Sequence, residues 1–497
     1  MKRIHNIISF LVILLLFSSC YDDESSLASG KIAEIQVTSN VKDTINLYLG
    51  DNISIQNQYS YTGDDITWQW SIGKYTENAV DKKITTAFKE IGTEANLEYK
   101  TTEVGHYFLR LVTSNKYGSD IKYYHVFVNS EFEEGYLILG RREDGKGSLA
   151  FMKTLTPEEV EQGLQPEFRQ NLFAYTNGGD ELGEGPVDCD KIYDKLYILC
   201  GKARKVYQLD AKSFQLVHEF DYTMYGNDFV PQDLISYDSR YCSEIYSTSP
   251  NGGVAKIQVA DLEIFPYTDL PQNMKFTRTY DRPNEFSSKV IAFIDDVNSK
   301  VYASGFNAAD FSFSYFPCYD YFDGREIIQV FFDVDGNLIV YTINNGKYYL
   351  TKIGSSLTSF ETMALDVVYE RECTTNVTLF NRNSVFEVND PNSCLFFGNQ
   401  NLVYKWAYNQ SEIPSTPFIT LPEGEEIRCL NHYQRNRGDE DYQDYSVQKE
   451  VYVASYNPNR AGEYKGSLYV YNADTGELVN KYEGISHEPV AMFYKIK

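Results

Sequence analysis

The feature that most constrains the fold is a set of four short strand-like runs that recurs at a spacing of about 45 residues. Pro186-x-Asp188 opens the first set, and Pro231-x-Asp233 opens the second. The runs cover residues 186–193, 195–200, 205–210 and 215–220, then 231–238, 242–248, 254–259 and 262–267. Four antiparallel strands at this period predict the blades of a β-propeller.

Similar runs continue to the end of the chain, with further blades expected to begin at Val290, Ile327, Ser384 and Ile427. This gives six blades. Residues 135–141 and 147–153 are two strand-like runs with no first strand of a blade before them. Residues 489–495 are a single run without the other three strands of a blade. Together they complete a seventh blade, because closing the ring with the C-terminal strand removes free sheet edges. We therefore expect an all-β chain with a seven-bladed β-propeller over residues 131–497; six or eight blades are the alternatives.

The first 30 residues are typical of an exported and lipid-anchored protein. Lys2 and Arg3 precede an apolar run from Ile7 to Phe17, which is too short to span a bilayer as a helix. Ser18-Ser19-Cys20 then resembles the bacterial lipobox. The resemblance implies that residues 1–19 are a lipoprotein signal peptide and that Cys20 is acylated; an ordinary signal peptide is the alternative.

The acidic run from Tyr21 to Glu24 resembles the signal that exports Bacteroidetes lipoproteins to the outer face of the outer membrane. Residues 20–30 are thus expected to form a lipidated acidic tether. A solvated tether without an export role is the alternative, because Asp, Glu and Ser are typical of disorder.

Residues 31–130 alternate apolar and polar side chains over short runs, which predicts a β-sandwich of about 100 residues. Trp68-x-Trp70, Leu97-x-Tyr99 and Gly105-x-Tyr107 resemble the later strands of a polycystic-kidney-disease (PKD) type Ig-like domain. The Asp-Gly loop usual after the tryptophan is absent, so the domain is called PKD-like. Trp68 and Tyr107 are expected to be core residues.

The formal net charge is −25, which disfavours nucleic acid as a partner. Seven cysteines follow Cys20. Cys189 and Cys200 lie symmetrically about Asp194-Lys195, so they are expected to be cross-strand neighbours. A disulfide between them is possible in an oxidising compartment, and two packed free thiols are the alternative.

No catalytic signature is present: the chain has no HExxH, GxSxG or Walker motif. No catalytic residue and no cofactor are therefore predicted. Asp333-x-Asp335 and the acidic group that includes Asp180, Glu181 and Glu184 are the only hints of Ca²⁺. A tight hairpin and a solvated loop, respectively, are the better interpretations.

The expected ligand-binding surface is the face that carries the loops entering the first strand of each blade and the turns between its second and third strands. We call it the mouth face. Arginines and aromatics there suit carboxylates or sugar rings. The predicted residues are Arg141, Arg142, Arg204, Tyr225, Phe229, Arg282, Arg325, Arg460, His487 and Glu488.

Taken together, Cys20 with its acidic follower, the Trp68/Tyr107 domain and the propeller resemble the PKD-like family of Bacteroidetes surface lipoproteins. The resemblance implies an accessory subunit of a Sus-type importer, beside a TonB-dependent transporter and its lid lipoprotein, that captures a glycan or an oligopeptide. The alternatives are a propeller glycoside hydrolase or lyase acting on surface polysaccharide, and a purely structural subunit. Similarity of fold does not itself establish function.

Overall fold

A computed structural model describes residues 35–61, 63, 65–76, 86–225, 228–238, 243–266, 274–281, 290–307, 312–317, 320–333, 337–355, 365–389, 394–432 and 450–495. The chain divides into two compact units, Met1–Asn129 and Ser130–Lys497. The signal peptide, the tether and Cys20 lie outside the described residues. Within those ranges, no helix has the length and apolar character needed to cross a membrane.

The first unit contains a five-stranded sheet in the order β2-β9-β8-β5-β6 and two strand pairs, β1-β4 and β3-β7. Only the β2–β9 pairing is parallel among these strands. The strands are β1 (Gln36–Ser39), β2 (Thr44–Tyr48), β3 (Asn52–Ile55), β4 (Asn57–Ser60), β5 (Thr67–Lys74), β6 (Lys89–Gly92), β7 (Leu97–Lys100), β8 (Gly105–Asn115) and β9 (Gly118–Asn129).

Alternation places one side of these strands in a common core. Trp70, Leu109 and Val126 are fully buried there, and Trp68 and Tyr107 pack against them. The indole Nε1 of Trp70 donates to the carbonyl of Glu94 at 3.0 Å, so its polar atom is satisfied. The two aromatic residues that mark this domain in the sequence are thus packing residues.

The described residues of the second unit form seven four-stranded antiparallel sheets, the topology of β-propeller blades. Sheets 2 to 4 are formed by β13 (Pro186–Ile192), β14 (Lys195–Cys200), β15 (Lys205–Asp210) and β16 (Leu216–Asp221); β17 (Ile235–Asp238), β18 (Ser243–Thr248), β19 (Val254–Gln258) and β20 (Glu263–Pro266); and β21 (Arg278–Asp281), β22 (Val290–Asp295), β23 (Lys300–Asn307) and β24 (Ser312–Pro317).

Sheets 5 to 7 follow the same order along the chain. They are formed by β25 (Glu326–Phe332), β26 (Leu338–Asn344), β27 (Lys347–Ser355) and β28 (Leu365–Cys373); β29 (Phe386–Asn389), β30 (Cys394–Asn399), β31 (Leu402–Trp406) and β32 (Ile419–Thr420); and β33 (Glu426–His432), β34 (Glu450–Tyr456), β35 (Gly466–Asn472) and β36 (Leu478–Ser486).

Sheet 1 combines strands from both ends of the unit. Its order is β37-β10-β11-β12, with β37 (Glu488–Lys495), β10 (Gly135–Arg141), β11 (Gly147–Lys153) and β12 (Phe168–Arg169). Leu137 pairs with Phe493. Lys495 is 1% exposed, and its Nζ donates to the carbonyls of Phe132 and Glu133 at 2.6 Å each. Two short helices, α1 (Pro157–Glu161) and α2 (Leu172–Thr176), and a 3₁₀ turn (Tyr222–Tyr225) lie between strands.

Each sheet buries both faces against its neighbours in sequence. Leu137 of sheet 1 and Leu196 of sheet 2 share one core cluster, and equivalent clusters join sheets 2 to 7 pairwise. Ile138 of sheet 1 and Tyr452 of sheet 7 share a further cluster. Burial on both faces explains why runs such as residues 196–200 are continuously apolar instead of alternating.

The structure corrects two predictions. Sheet 4 begins at Arg278–Asp281, so Val290 opens its second strand and not its first. Cys189 pairs with Ile198, and Cys200 pairs with Pro186. The hairpin turns at Tyr193-Asp194, between the paired residues Ile192 and Lys195, one position earlier than the symmetry of the cysteines implies. The two cysteines are therefore not cross-strand neighbours, and both are buried free thiols.

Candidate functional site

Three predicted residues meet at the mouth face of sheets 7 and 1. The side chain of Glu488, at the start of β37, lies 3.6 Å from Nη1 of Arg141 at the end of β10. Its other oxygen lies 3.2 Å from Nε of Arg428, on β33. His487 is adjacent but only 4% exposed, and burial lowers the pKa of its imidazole. The pair Arg141–Glu488 was predicted to lie here, whereas Arg428 was missed.

Four of the other predicted arginines are engaged within the protein. Arg142 Nη1 lies 2.5 Å from Glu181, Arg460 Nη2 lies 2.6 Å from Glu425, and Arg325 pairs with Glu370. Arg204 Nη2 donates to the carbonyl of Tyr222 at 2.9 Å. Because these groups hold neighbouring loops and strands together, they are poorly placed to give a free positive charge to a ligand.

The predicted aromatics do not form a binding platform. Phe229 is 7% exposed, and its ring stacks on that of Tyr222 with centroids 5.3 Å apart. Tyr225 ends the 3₁₀ turn, but its side chain lies outside the described part of the chain, as does all of Arg282. Phe229 is therefore a core residue of sheets 2 and 3.

The Pro-x-Asp sequence of the repeat has a structural role at Asp233. One carboxylate oxygen accepts from the backbone N–H of Thr248 at 2.6 Å, and the other accepts from the Thr248 hydroxyl at 2.6 Å and the Thr279 hydroxyl at 2.8 Å. Thr248 belongs to sheet 3 and Thr279 to sheet 4. The aspartate therefore ties two consecutive sheets together.

A pocket of about 560 Å³ opens on the mouth face between sheets 6 and 7. Its walls are the segments that precede β29 and β33 and the turns β30–β31 and β34–β35. We call it the amide pocket, because six amide side chains line it: Asn381, Asn383, Asn399, Gln400, Asn401 and Asn459.

Two of these amides are used to build the pocket. Asn381 Oδ1 accepts from the N–H of Asn383 at 3.0 Å, and Asn401 Nδ2 donates to the carbonyl of Leu421 at 2.9 Å. The side chains of Asn383, Asn399, Gln400 and Asn459 hydrogen-bond to no residue within the described ranges. Each offers both a donor and an acceptor to a ligand.

A buried carboxylate, Glu425, also lines the amide pocket, and its side chain is 1% exposed. It accepts from Ser455 Oγ at 2.6 Å, from Asn457 Nδ2 at 3.3 Å and from Arg460. Glu426 also lines the pocket and lies 2.7 Å from Arg428 Nη2. Both carboxylates are thus paired with arginines.

Two of the acidic residues that hint at Ca²⁺ in the sequence, Glu181 and Glu184, have basic partners. Glu181 pairs with Arg142 and Lys146, and Glu184 lies 2.7 Å from Lys202. Across the part of the chain that the structure describes, no group of three or more His, Cys, Asp or Glu side chains is arranged to hold a metal ion.

No protein-family model matches the sequence, and no curated protein matches it. Among solved structures, a quinonprotein alcohol dehydrogenase-like protein of Bacteroides thetaiotaomicron is similar, with a TM-score of 0.45 and 15% identity over 92% of this chain and 99% of that one. Apo AztD from Citrobacter koseri aligns with a TM-score of 0.37 and 8% identity over 87% of this chain and 100% of that one.

Proposed function

We propose that this protein captures a neutral glycan in the amide pocket, as a surface lipoprotein of the bacterial outer membrane. The supporting observation is the set of four uncommitted amides, Asn383, Asn399, Gln400 and Asn459, around one pocket. Planar amides match the alternating donors and acceptors of sugar hydroxyls. The arginines of the mouth face that the structure describes are already paired with carboxylates or a carbonyl, so a polyanionic ligand is less well accommodated.

The architecture proposed for this role is a closed seven-bladed propeller preceded by a PKD-like sandwich. Closure is supported by the Leu137–Phe493 pairing and by the core cluster that sheets 7 and 1 share. The sandwich is supported by the common core around Trp70. A rigid ring would hold the four loop segments of the amide pocket at fixed spacing.

The accessory role and the membrane location rest on the sequence. Cys20 and its acidic follower support lipid anchoring with outward exposure. The resemblance to PKD-like lipoproteins supports association with a TonB-dependent transporter and its lid lipoprotein. In this arrangement the propeller holds the glycan near the importer, and no chemical step on the ligand is required.

The decisive experiment is affinity purification of the full-length lipoprotein from native outer membranes, followed by identification of co-purifying proteins. We expect a TonB-dependent transporter and its lid lipoprotein to be recovered. Recovery of the protein alone from gently solubilised membranes would refute the accessory role.

Glycan binding is tested separately by isothermal titration with neutral oligosaccharides. We expect the double variant Asn383→Ala/Asn459→Ala to bind about tenfold or more weakly, because each lost hydrogen bond contributes about 0.5–1.5 kcal/mol. Asn46→Ala, which removes an exposed amide of the first unit, is the matched control. Equal affinities of the double variant and this control would reject the amide pocket as the site.

A further inference from the structure

A second pocket lies at the opposite ends of the strands that lead to the mouth face. At those ends Gly135 pairs with Lys495, whereas Arg141 pairs with Glu488 at the mouth face. The second pocket has a volume of about 820 Å³ and is lined by Tyr136, Tyr452, Tyr482 and Tyr494. We call it the tyrosine pocket.

Three of these tyrosines form a fixed cluster. The ring centroid of Tyr136 lies 5.0 Å from those of both Tyr452 and Tyr494, at interplanar angles of 84° and 83°. The rings of Tyr452 and Tyr494 are nearly parallel, 6.4 Å apart. Edge-to-face packing of this kind fixes the orientation of the rings, so the cluster gives the pocket a preformed aromatic wall.

Two of the tyrosine hydroxyls donate to carboxylates that also line the pocket. Tyr494 donates to Glu134 at 2.8 Å, and Tyr452 donates to Glu450 at 3.2 Å. Burial raises the pKa of both phenols, so they stay protonated at physiological pH. Each carboxylate retains further acceptor capacity for a ligand hydroxyl.

The rim of the pocket combines exposed amides with exposed aliphatic groups. Gln165 and Asn480 are exposed there. Val160 and Leu164 are 59% and 49% exposed. Val160 lies on α1, whose first turn is fixed by a capping box between Thr156 and Glu159. The rim is therefore built on an ordered segment.

We propose that the tyrosine pocket is a second binding site for a neutral carbohydrate. Aromatic and aliphatic surfaces suit the C–H faces of a sugar ring, and planar amides and carboxylates beside them suit its hydroxyls. The site shares no residue with the amide pocket. It lies at the opposite ends of the strands of sheets 7 and 1, whereas the amide pocket lies between sheets 6 and 7. A polysaccharide chain would then be held at two points of one molecule, which increases its avidity.

The test uses saturation-transfer NMR and isothermal titration with maltohexaose, cellohexaose, xylohexaose, mannohexaose and laminarihexaose. The full-length protein carrying Asn383→Ala/Asn459→Ala removes the contribution of the amide pocket. In that background we expect at least one of these sugars to bind and Tyr482→Ala to weaken its binding about tenfold. Tyr175→Ala, at a tyrosine that is 62% exposed outside the pocket, should leave the affinity unchanged.

Two results would overturn this inference: unchanged affinity in the Tyr482→Ala variant, or no sugar bound once the amide pocket is disabled. The proposal that the amide pocket binds the glycan fails independently if the binding seen in the wild type is lost with Tyr482→Ala but kept with Asn383→Ala/Asn459→Ala. Thermal unfolding of each variant shows whether it remains folded. A conservative Tyr482→Phe variant should bind nearly as well as wild type, because the ring face is retained.

Discussion

Breaking the buried ion pair between Glu425 and Arg460 is expected to have unequal effects at its two ends. The Glu425 side chain is 1% exposed, whereas that of Arg460 is 18% exposed and also lies 3.7 Å from Glu483. Arg460→Met leaves a buried carboxylate without its cation. Glu425→Met leaves a guanidinium that still reaches water and a second carboxylate. The arginine variant should therefore be the less stable of the two.

The expected magnitudes follow from the remaining contacts. Leaving a buried charge without its partner costs about 3–5 kcal/mol of stability. Because Ser455 and Asn457 still donate to Glu425, the loss for Arg460→Met should be about 3 kcal/mol. Glu425→Met should cost about 1–2 kcal/mol. With an unfolding entropy of about 2.1 cal/mol/K per residue, 3 kcal/mol lowers the Tm of the Ser130–Lys497 unit by about 4 °C.

A double-mutant cycle measured by calorimetry and urea unfolding tests this reasoning. The double variant replaces both charges with Met, so its loss should be smaller than the sum of the single losses by about 1–3 kcal/mol. Additive losses would show that the two groups do not interact in solution. A larger loss for Glu425→Met than for Arg460→Met would refute the argument from exposure.

Three further outcomes are expected. Cys189 and Cys200 should resist iodoacetamide in the native protein and react with it in denaturant, because both are buried and burial raises the pKa of Cys200 to about 12. Peptide mass spectrometry measures the labelling, and labelling of the native protein would contradict this prediction. Burial lowers the pKa of Lys495 to about 7 in the folded protein. Between about pH 7 and 10 the unfolded chain therefore binds more protons than the folded one, so the free energy of unfolding should rise with pH. Urea titrations should show this rise in the wild type and a smaller one in Lys495→Met. Gly201→Ala should lower stability by about 1–3 kcal/mol, because its Cβ would lie 2.3 Å from a backbone carbonyl oxygen. Gly118→Ala has open space around it and should leave stability unchanged. Thermal unfolding of the two variants measures the difference.

The sequence predicts the strands best where turn residues and apolar runs coincide. Residues 195–200 and 205–210 match β14 and β15 at both ends. The predicted cross-strand pairing of Cys189 with Cys200 is wrong because hairpin register depends on where the two-residue turn falls. The turn begins at Tyr193, which adopts a left-handed φ of 51°. β21 was missed because Arg278–Asp281 is short and polar, so it has none of the apolar alternation that marks a strand.

The candidate site was only partly predictable. The mouth face follows from topology alone, and Arg141 and Glu488 do lie together there. The amide pocket was missed because asparagines between strands are ordinary turn residues. The arginines were wrongly predicted to be free to bind a ligand. In an acidic chain an arginine readily finds a carboxylate nearby, as Arg142 does in Glu181.

Sheet 1 takes its first strand from the last residues of the chain and its other three from the beginning of the unit. During vectorial synthesis, β10 therefore emerges from the ribosome long before its partner β37 exists, and its edge is open to pairing with other chains. Sheet 1 can be completed only after β37 has been synthesised. Until then β10 stays an edge strand on that side, and a truncation that removes β37 would leave sheet 1 with three strands.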